Sequence, residues 1–387
     1  MEVFKKKAVW LNVVIFSLFA ACAEMGEGEA FWGGEEAAVL ETGEAAVLET
    51  EEAAALETGE EVDFEGRLPD INSALLNPLD IFRLFSTTTV TTVAGGPNSK
   101  AFIGLGGIVR DASGNLYVVD NGARKILKVS PSGVIYTFAG SGRSGSSNGQ
   151  GSSAQFSLLH GIAIDKAGNL YVLDESSSNS RIRKISPSGY VSTFVDINRN
   201  PLLFNNSHGI AVDSMNNLYV TTATGIQKIT QIGTFLLSPI GMNSQWIDTS
   251  SIASPGAITI DKDDKLYVIS NYNSIYRVVG KGVMCVLWGG SGAAEPLWGY
   301  GIVADTKGNL YVTDVTRHRI LKLTPGGFDT IVTPLAGSSR WGFVDGASGT
   351  AQFHAPSGIT MSGNTLYVTE ENNKAIRKIY LGGEDLR

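Results

Sequence analysis

Cysteine is nearly absent from the 387-residue chain. Only Cys22 and Cys285 occur, which excludes a disulfide-stapled scaffold and any multi-cysteine zinc module. Proline is also scarce at 12 residues, while glycine reaches 46, well above the usual ~7%. Many tight turns without proline mark an all-β chain. No nucleophile elbow, no His-Glu-x-x-His and no Cys–His pairing is present, so the common signatures of hydrolytic catalysis are missing. The glycine-rich Gly140–Gly145 has no following Lys-Ser/Thr and no helix pattern, which makes it a poor phosphate loop. Cys285, in the apolar Val283–Leu287, reads as a core residue.

The net charge of −8 conceals an asymmetry. Residues 1–65 carry sixteen acids against three lysines, a net −13, and residues 66–387 carry 22 acids against 27 bases, a net +5. The folded part is therefore weakly and diffusely basic, and nucleic acid is not an expected partner.

The first 22 residues read as an export signal. Lys5, Lys6 and Lys7 precede an apolar run from Ala8 to Ala21, shorter than the ~20 residues a bilayer span needs. Phe19-Ala20-Ala21-Cys22 resembles a bacterial lipobox, with Phe19 where leucine is usual, which makes Cys22 a candidate lipidation site and membrane anchor. Ala21-Cys22-Ala23 equally suits ordinary signal cleavage, giving a soluble periplasmic or secreted protein. Residues 23–66 form an acidic tether in which one octapeptide recurs as Glu36–Gly43, Glu44–Glu51 and Glu52–Gly59. Like charges and interrupting glycines favour an extended, disordered spacer. Residues 67–89 are a linker whose Leu75–Phe85 is apolar enough for a short docking segment.

From residue 90 onward the chain repeats itself. Gly107–Asp120 recurs as Gly161–Asp174, Gly209–Thr222, Ala257–Ser270, Gly301–Asp314 and Gly358–Glu370, and the Leu-Tyr-Val core starts at Leu116, Leu170, Leu218, Leu266, Leu310 and Leu366. Periods of 44 to 56 residues with several short strands each are the mark of propeller blades. Each unit reads as four strands, a to d, but after the sixth strand c (Ala375–Ile379) only a short tail remains. Val90–Gly95 matches the first strand d, Ile135–Gly140, and is expected to complete the last blade. The expected fold is all-β: a six-bladed β-propeller of four-stranded antiparallel blades, residues 90–387, closed by an N-terminal strand.

Gly-Ile-Ala-Val-Asp, Asn-Leu-Tyr-Val-Thr-Asp, Arg-Ile-x-Lys-Ile and Val-Ser-Thr-Phe-Ala-Gly together resemble the NHL repeat, over residues 90–380. The connectors Gly140–His160 and Gly337–Ser357 look like those of bacterial NHL proteins. The resemblance implies a closed propeller but no single activity, since such propellers include RNA binders, receptor sensor domains and a peptide-amidating lyase.

Charged residues recur once per blade. Lys128, Lys184, Lys228, Arg277, Lys322 and Lys378 share one position in strand c. Carboxylates close strand a (Asp111, Asp165, Asp213, Asp261, Asp305) and strand b (Asp120, Asp174, Asp314, Glu370). Such regularity points to structural ion pairs and turn caps rather than a binding ring. His160 and His208 both precede the glycine of strand a, where the chain reaches the mouth of the central channel. Lyase relatives place histidines there, so the pair is the one metal candidate, for zinc or calcium. No third ligand matches, no cofactor is otherwise expected, and a polar rim is the alternative. His318 and His354 fall in a b–c loop and a connector and add nothing to that site. The connectors collect Trp246, Trp288, Trp298, Tyr300, Arg340, Trp341 and Phe343, residue types that suit recognition.

The sequence thus favours a monomeric, surface-anchored, non-catalytic propeller. It is expected to recognise a protein, peptide or glycan of the bacterial cell envelope on one face, near His160, His208, Trp298, Tyr300, Arg340 and Trp341. The rival is an exported metal-dependent lyase or hydrolase at the channel mouth, aided by Asp120 or Asp174.

Overall fold

The structure is a computed structural model. It describes residues 87–176, 179–195, 201–223, 225–230, 255–270, 274–279, 283–288, 299–325 and 330–382. Cys22, the tether, Leu75–Phe85, Trp246 and Trp298 lie outside the described residues, as do the side chains of Trp288 and Cys285.

Each repeat forms one antiparallel meander. Blade one is Leu105–Arg110, Leu116–Asp120, Lys125–Val129 and Ile135–Ala139; blades four and five follow the same four-strand order. Blade three shows its first three strands among the described residues. The inner strands touch their neighbours in sequence order, and the sixth touches the first, so the ring is closed. Blade six consists of Pro356–Ser362, Thr365–Glu370 and Ala375–Tyr380, with Thr89–Gly95 as its fourth strand. The register runs from Thr89 opposite Tyr380 to Gly95 opposite Ala375, as the repeat count requires.

Closure is reinforced from outside. Gly346–Ala347 pairs with the far edge of the same N-terminal strand, which is thereby bonded on both sides. Asp345 accepts hydrogen bonds from the Thr92 N–H (2.9 Å) and hydroxyl (3.1 Å).

The repeated polar residues build the a–b hairpins. In blade one, Asp111 accepts from the Asn115 backbone and side-chain N–H groups and from the Tyr117 hydroxyl, while the Lys128 ammonium stands 5.3 Å from the Tyr117 ring centre. Blades two and three repeat this with Asp165, Tyr171 and Lys184, and with Asp213, Tyr219 and Lys228. A carboxylate thus caps the turn and a cation covers the aromatic ring, a structural role for both charges.

The inner strands approach so closely that side chains are excluded between them. A Cβ on Gly209 would run into the Gly256 carbonyl, and one on Gly358 into that of Gly106. At the same level Thr221, Thr313 and Thr369 donate to carbonyls of the next blade, Gly256, Ser357 and Gly106, at 2.9, 2.9 and 2.7 Å.

Two arginines that lie beside the recurring lysines are wholly buried. Arg183 bonds Asp174 at 2.8 Å and also the carbonyls of Gln155 and Ser147. Arg377 bonds Glu370 at 2.7 Å, the carbonyls of Gln352 and Val344, and Asp345. Burial pushes the Asp174 and Glu370 carboxyls up, against the opposing pull of these guanidinium groups. Removing one partner of such a pair strands a charge in the interior. Arg377→Ala is therefore expected to cost about 3–5 kcal/mol in guanidinium denaturation. Deleting residues 1–98 should lower Tm far more than deleting 1–65, because only the first reopens a sheet edge.

Candidate functional site

Strand a is not paired along its whole length. In blades one, two, four, five and six the register with strand b slips just before the isoleucine that recurs in every blade, between Leu159 and Ile162 in blade two and between Gly299 and Ile302 in blade five. A bulge re-aims the residues inside it. Here those residues include His160 and Tyr300, placed at the head of the axial channel. His208 precedes Gly209 at the equivalent position of blade three.

The bulges surround an axial cavity of about 630 Å³ lined by all six blades. Isoleucines 108, 162, 210, 258, 302 and 359 and the neighbouring glycines give it an apolar neck. His160, His208, Asn121, Tyr300 and Glu371 add the polar groups. The His160 and His208 rings meet edge to face with centroids 5.0 Å apart. His160 Nε2 lies 2.7 Å from a Glu175 carboxylate oxygen. Burial, followed by the neighbouring His160, holds His208 below its ordinary value of 6.5. Tyr300 is exposed on the opposite side of the ring.

His160 already engages Glu175 through Nε2, and no group of three or more metal-ligating side chains forms among the described residues. The carboxylates expected to assist a catalytic centre serve the fold instead. Asp120 accepts from the backbone N–H groups of Ile103, Gly104 and Ala123, and Asp174 accepts from the Ser157 N–H and Arg183. Both are buried and pin connectors to blades.

Of the residues singled out from the sequence, the structure brings His160, His208 and Tyr300 to the cavity. Arg340 and Trp341 do not line it. Trp341 instead stacks with His354, which meets His318, so two histidines dismissed above form a cluster of their own. Glu175 and Glu371 were missed. Glu175 follows Asp174 where strand b of blade two runs on to Ser176, two residues longer than its counterpart in blade one, and only that extension signals it.

The family model for the NHL repeat matches residues 156–185, the span from the first connector through strand c of blade two. That unit is an NHL repeat. Among known proteins, this chain is 31% identical over 166 residues to SUPPRESSOR OF QUENCHING 1, chloroplastic, of Arabidopsis thaliana; the match covers 37% of this chain and 16% of that protein. An auxiliary nutrient binding protein of Bacteroides ovatus superposes with TM-score 0.58 at 20% identity, over 76% of each chain. Virginiamycin B lyase of Staphylococcus aureus superposes with TM-score 0.52 at 16% identity, over 76% of this chain and 99% of the lyase. At such identities the likeness is one of fold.

Because His208 titrates lower when folded than unfolded, the unfolded chain binds more protons at pH values below about 6.5. Its contribution to stability is fully present above that pH and is lost as pH falls towards the folded value. His208→Gln should therefore flatten the fall in Tm between pH 7.5 and 5 relative to the unaltered protein.

Proposed function

We propose that the protein is a non-catalytic binding propeller that holds its ligand over the axial cavity. The observation that carries this reading is the composition of the mouth: paired imidazoles on one side, an exposed phenol on the other and an apolar neck beneath. These are recognition groups. Both a nutrient-binding protein and a lyase share the fold, so the choice rests on the site, where the carboxylates expected to assist catalysis are occupied in holding connectors. The ligand class is a protein, peptide or glycan of the cell envelope, reached by a chain tethered to the membrane through a lipid on Cys22. The alternative, a lyase or hydrolase at the same mouth, draws on the His160–Glu175 pair as a proton carrier.

Capture from cell-envelope extracts tests the proposal. His160→Ala and Tyr300→Ala, each shown to fold, should weaken capture by about tenfold or more, and retention by both would place the ligand elsewhere. The captured molecule should be recovered unchanged after incubation; recovery in cleaved form establishes the enzyme. Cys22→Ser should move the protein from the membrane to a soluble fraction, whereas an unmodified mature N-terminus at Glu24 would show simple cleavage.

A further inference from the structure

The connector joining blades one and two and that joining five and six are two copies of one structure. Their backbone hydrogen bonds coincide: Gly140 N–H to Gly151 and Gly337 N–H to Ser348, Ser141 to Ala154 and Ser338 to Ala351, Gly145 to Phe156 and Gly342 to Phe353. Buried Arg183 grips the first copy and buried Arg377 the second. Each copy leans on the b–c turn of the preceding blade, so a Cβ on Gly140 would strike the Arg124 carbonyl and one on Gly337 the His318 carbonyl. Arg124, Ser144 and Ser157 of the first copy thus correspond to His318, Trp341 and His354 of the second.

At that place the copies differ in the side chains they present. The second stacks three rings: Trp341 and His354 are 5.3 Å apart and tilted by 35°, and His354 meets His318 at 5.4 Å, edge to face. The first copy holds the same backbone with an arginine and two serines, so the loop does not need the rings to fold. Trp341 is also 69% exposed, too open for a packing anchor. The backbone beside it is strained. Ser339 has φ +60° where the first copy has Gly142 at +83°, and a non-glycine residue in that region costs about 1 kcal/mol. The strained turn presents Arg340 and Trp341 to solvent.

We propose that Trp341, His354 and His318, with Arg340 at the edge, form a platform that binds a pyranose unit of a glycan. A flat indole takes the C–H face of a sugar ring at low entropic cost, and the ring's hydroxyls need a few polar partners at the rim. Arg340 supplies donors there. The Ala355 N–H donates to His318 Nδ1 at 3.2 Å, so a neutral His318 carries its proton on Nε2 and offers a further donor. A peptide adding as a strand finds the start of the blade's fourth strand already taken, since Thr89 and Val90 pair with Gly346–Ala347 and the Thr92 N–H donates to Asp345. A cationic side chain over the indole would be repelled by Arg340. None of these four residues lines the axial cavity, so this is a second site.

A glycan array probed with the full chain, followed by tryptophan-fluorescence titration with the oligosaccharides bound, tests the platform. Trp341→Ser, the residue of the sister connector, should weaken binding by about tenfold or more with Tm unchanged. Trp341→Phe should retain part of the affinity, and Tyr190→Ala, at an exposed tyrosine on the fourth strand of blade two, should leave it intact. Binding to no glycan, or binding that survives Trp341→Ser, overturns the proposal. A large fall in Tm for Trp341→Ser would make the ring a structural anchor, and displayed peptides whose binding Trp341→Ser abolishes would assign the platform to a peptide; either result also overturns it.

Discussion

The pairing of Thr89–Gly95 with Ala375–Tyr380 is the bond on which the other blades depend. Each blade covers one face of its neighbour, and an open ring would leave the first and last of these faces in water. The strand itself is modest, with Val90 and Ala94 its buried apolar side chains. Its hold comes from the long pairing with Ala375–Tyr380, from a second pairing at Thr89 and Val90, and from Asp345, which joins Thr92 to the buried Arg377. A buried arginine thus ties together the closing strand, the last connector and strand b of blade six, and the equivalent Arg183 holds blade two to its own connector.

This division of labour explains where specificity can arise. The strands are constrained by the axial approach of the blades, which leaves room for glycine at Gly209 and Gly358, and by the hairpins, which need the same carboxylate, aromatic and lysine in turn. Bulges and connectors are free of those demands. One bulge carries histidine and one carries tyrosine, a second histidine precedes strand a of blade three, and one connector carries a tryptophan that its twin lacks. The molecule is regular in its framework and asymmetric at one end of its axis.

The framework was legible in the sequence because each repeated residue answers a local need. Asp111 and its equivalents cap a turn, Tyr117 accepts the cover of Lys128, and the count of strands requires the N-terminal closure. The site was legible only in part. His160 and His208 could be placed at the channel mouth because they precede a repeated glycine. Glu175 reaches them through a strand extension with no counterpart in blade one, and no repeat pattern announces it. Asp120 and Asp174 looked available for chemistry because sequence does not reveal backbone N–H groups as partners. His318 and His354 looked unrelated because a b–c turn and a connector meet only once both are folded. Arg183 and Arg377 were overshadowed by the regular lysines beside them, since burial depends on the loop that closes over each.

The two-sided pairing of the closing strand also sets an order of events. Thr89–Gly95 is made early, yet both of its partners, Gly346–Ala347 and Ala375–Tyr380, come from the far end of the chain. Contacts so distant in sequence are slow to form, and until then the strand is an unpaired edge available to other chains. Its composition, Thr-Val-Thr-Thr-Val-Ala-Gly, suits that interval, because three threonines keep the waiting strand less adhesive than an all-aliphatic one. Blades one to five can assemble as the chain emerges, while the sixth waits for Ala375–Tyr380.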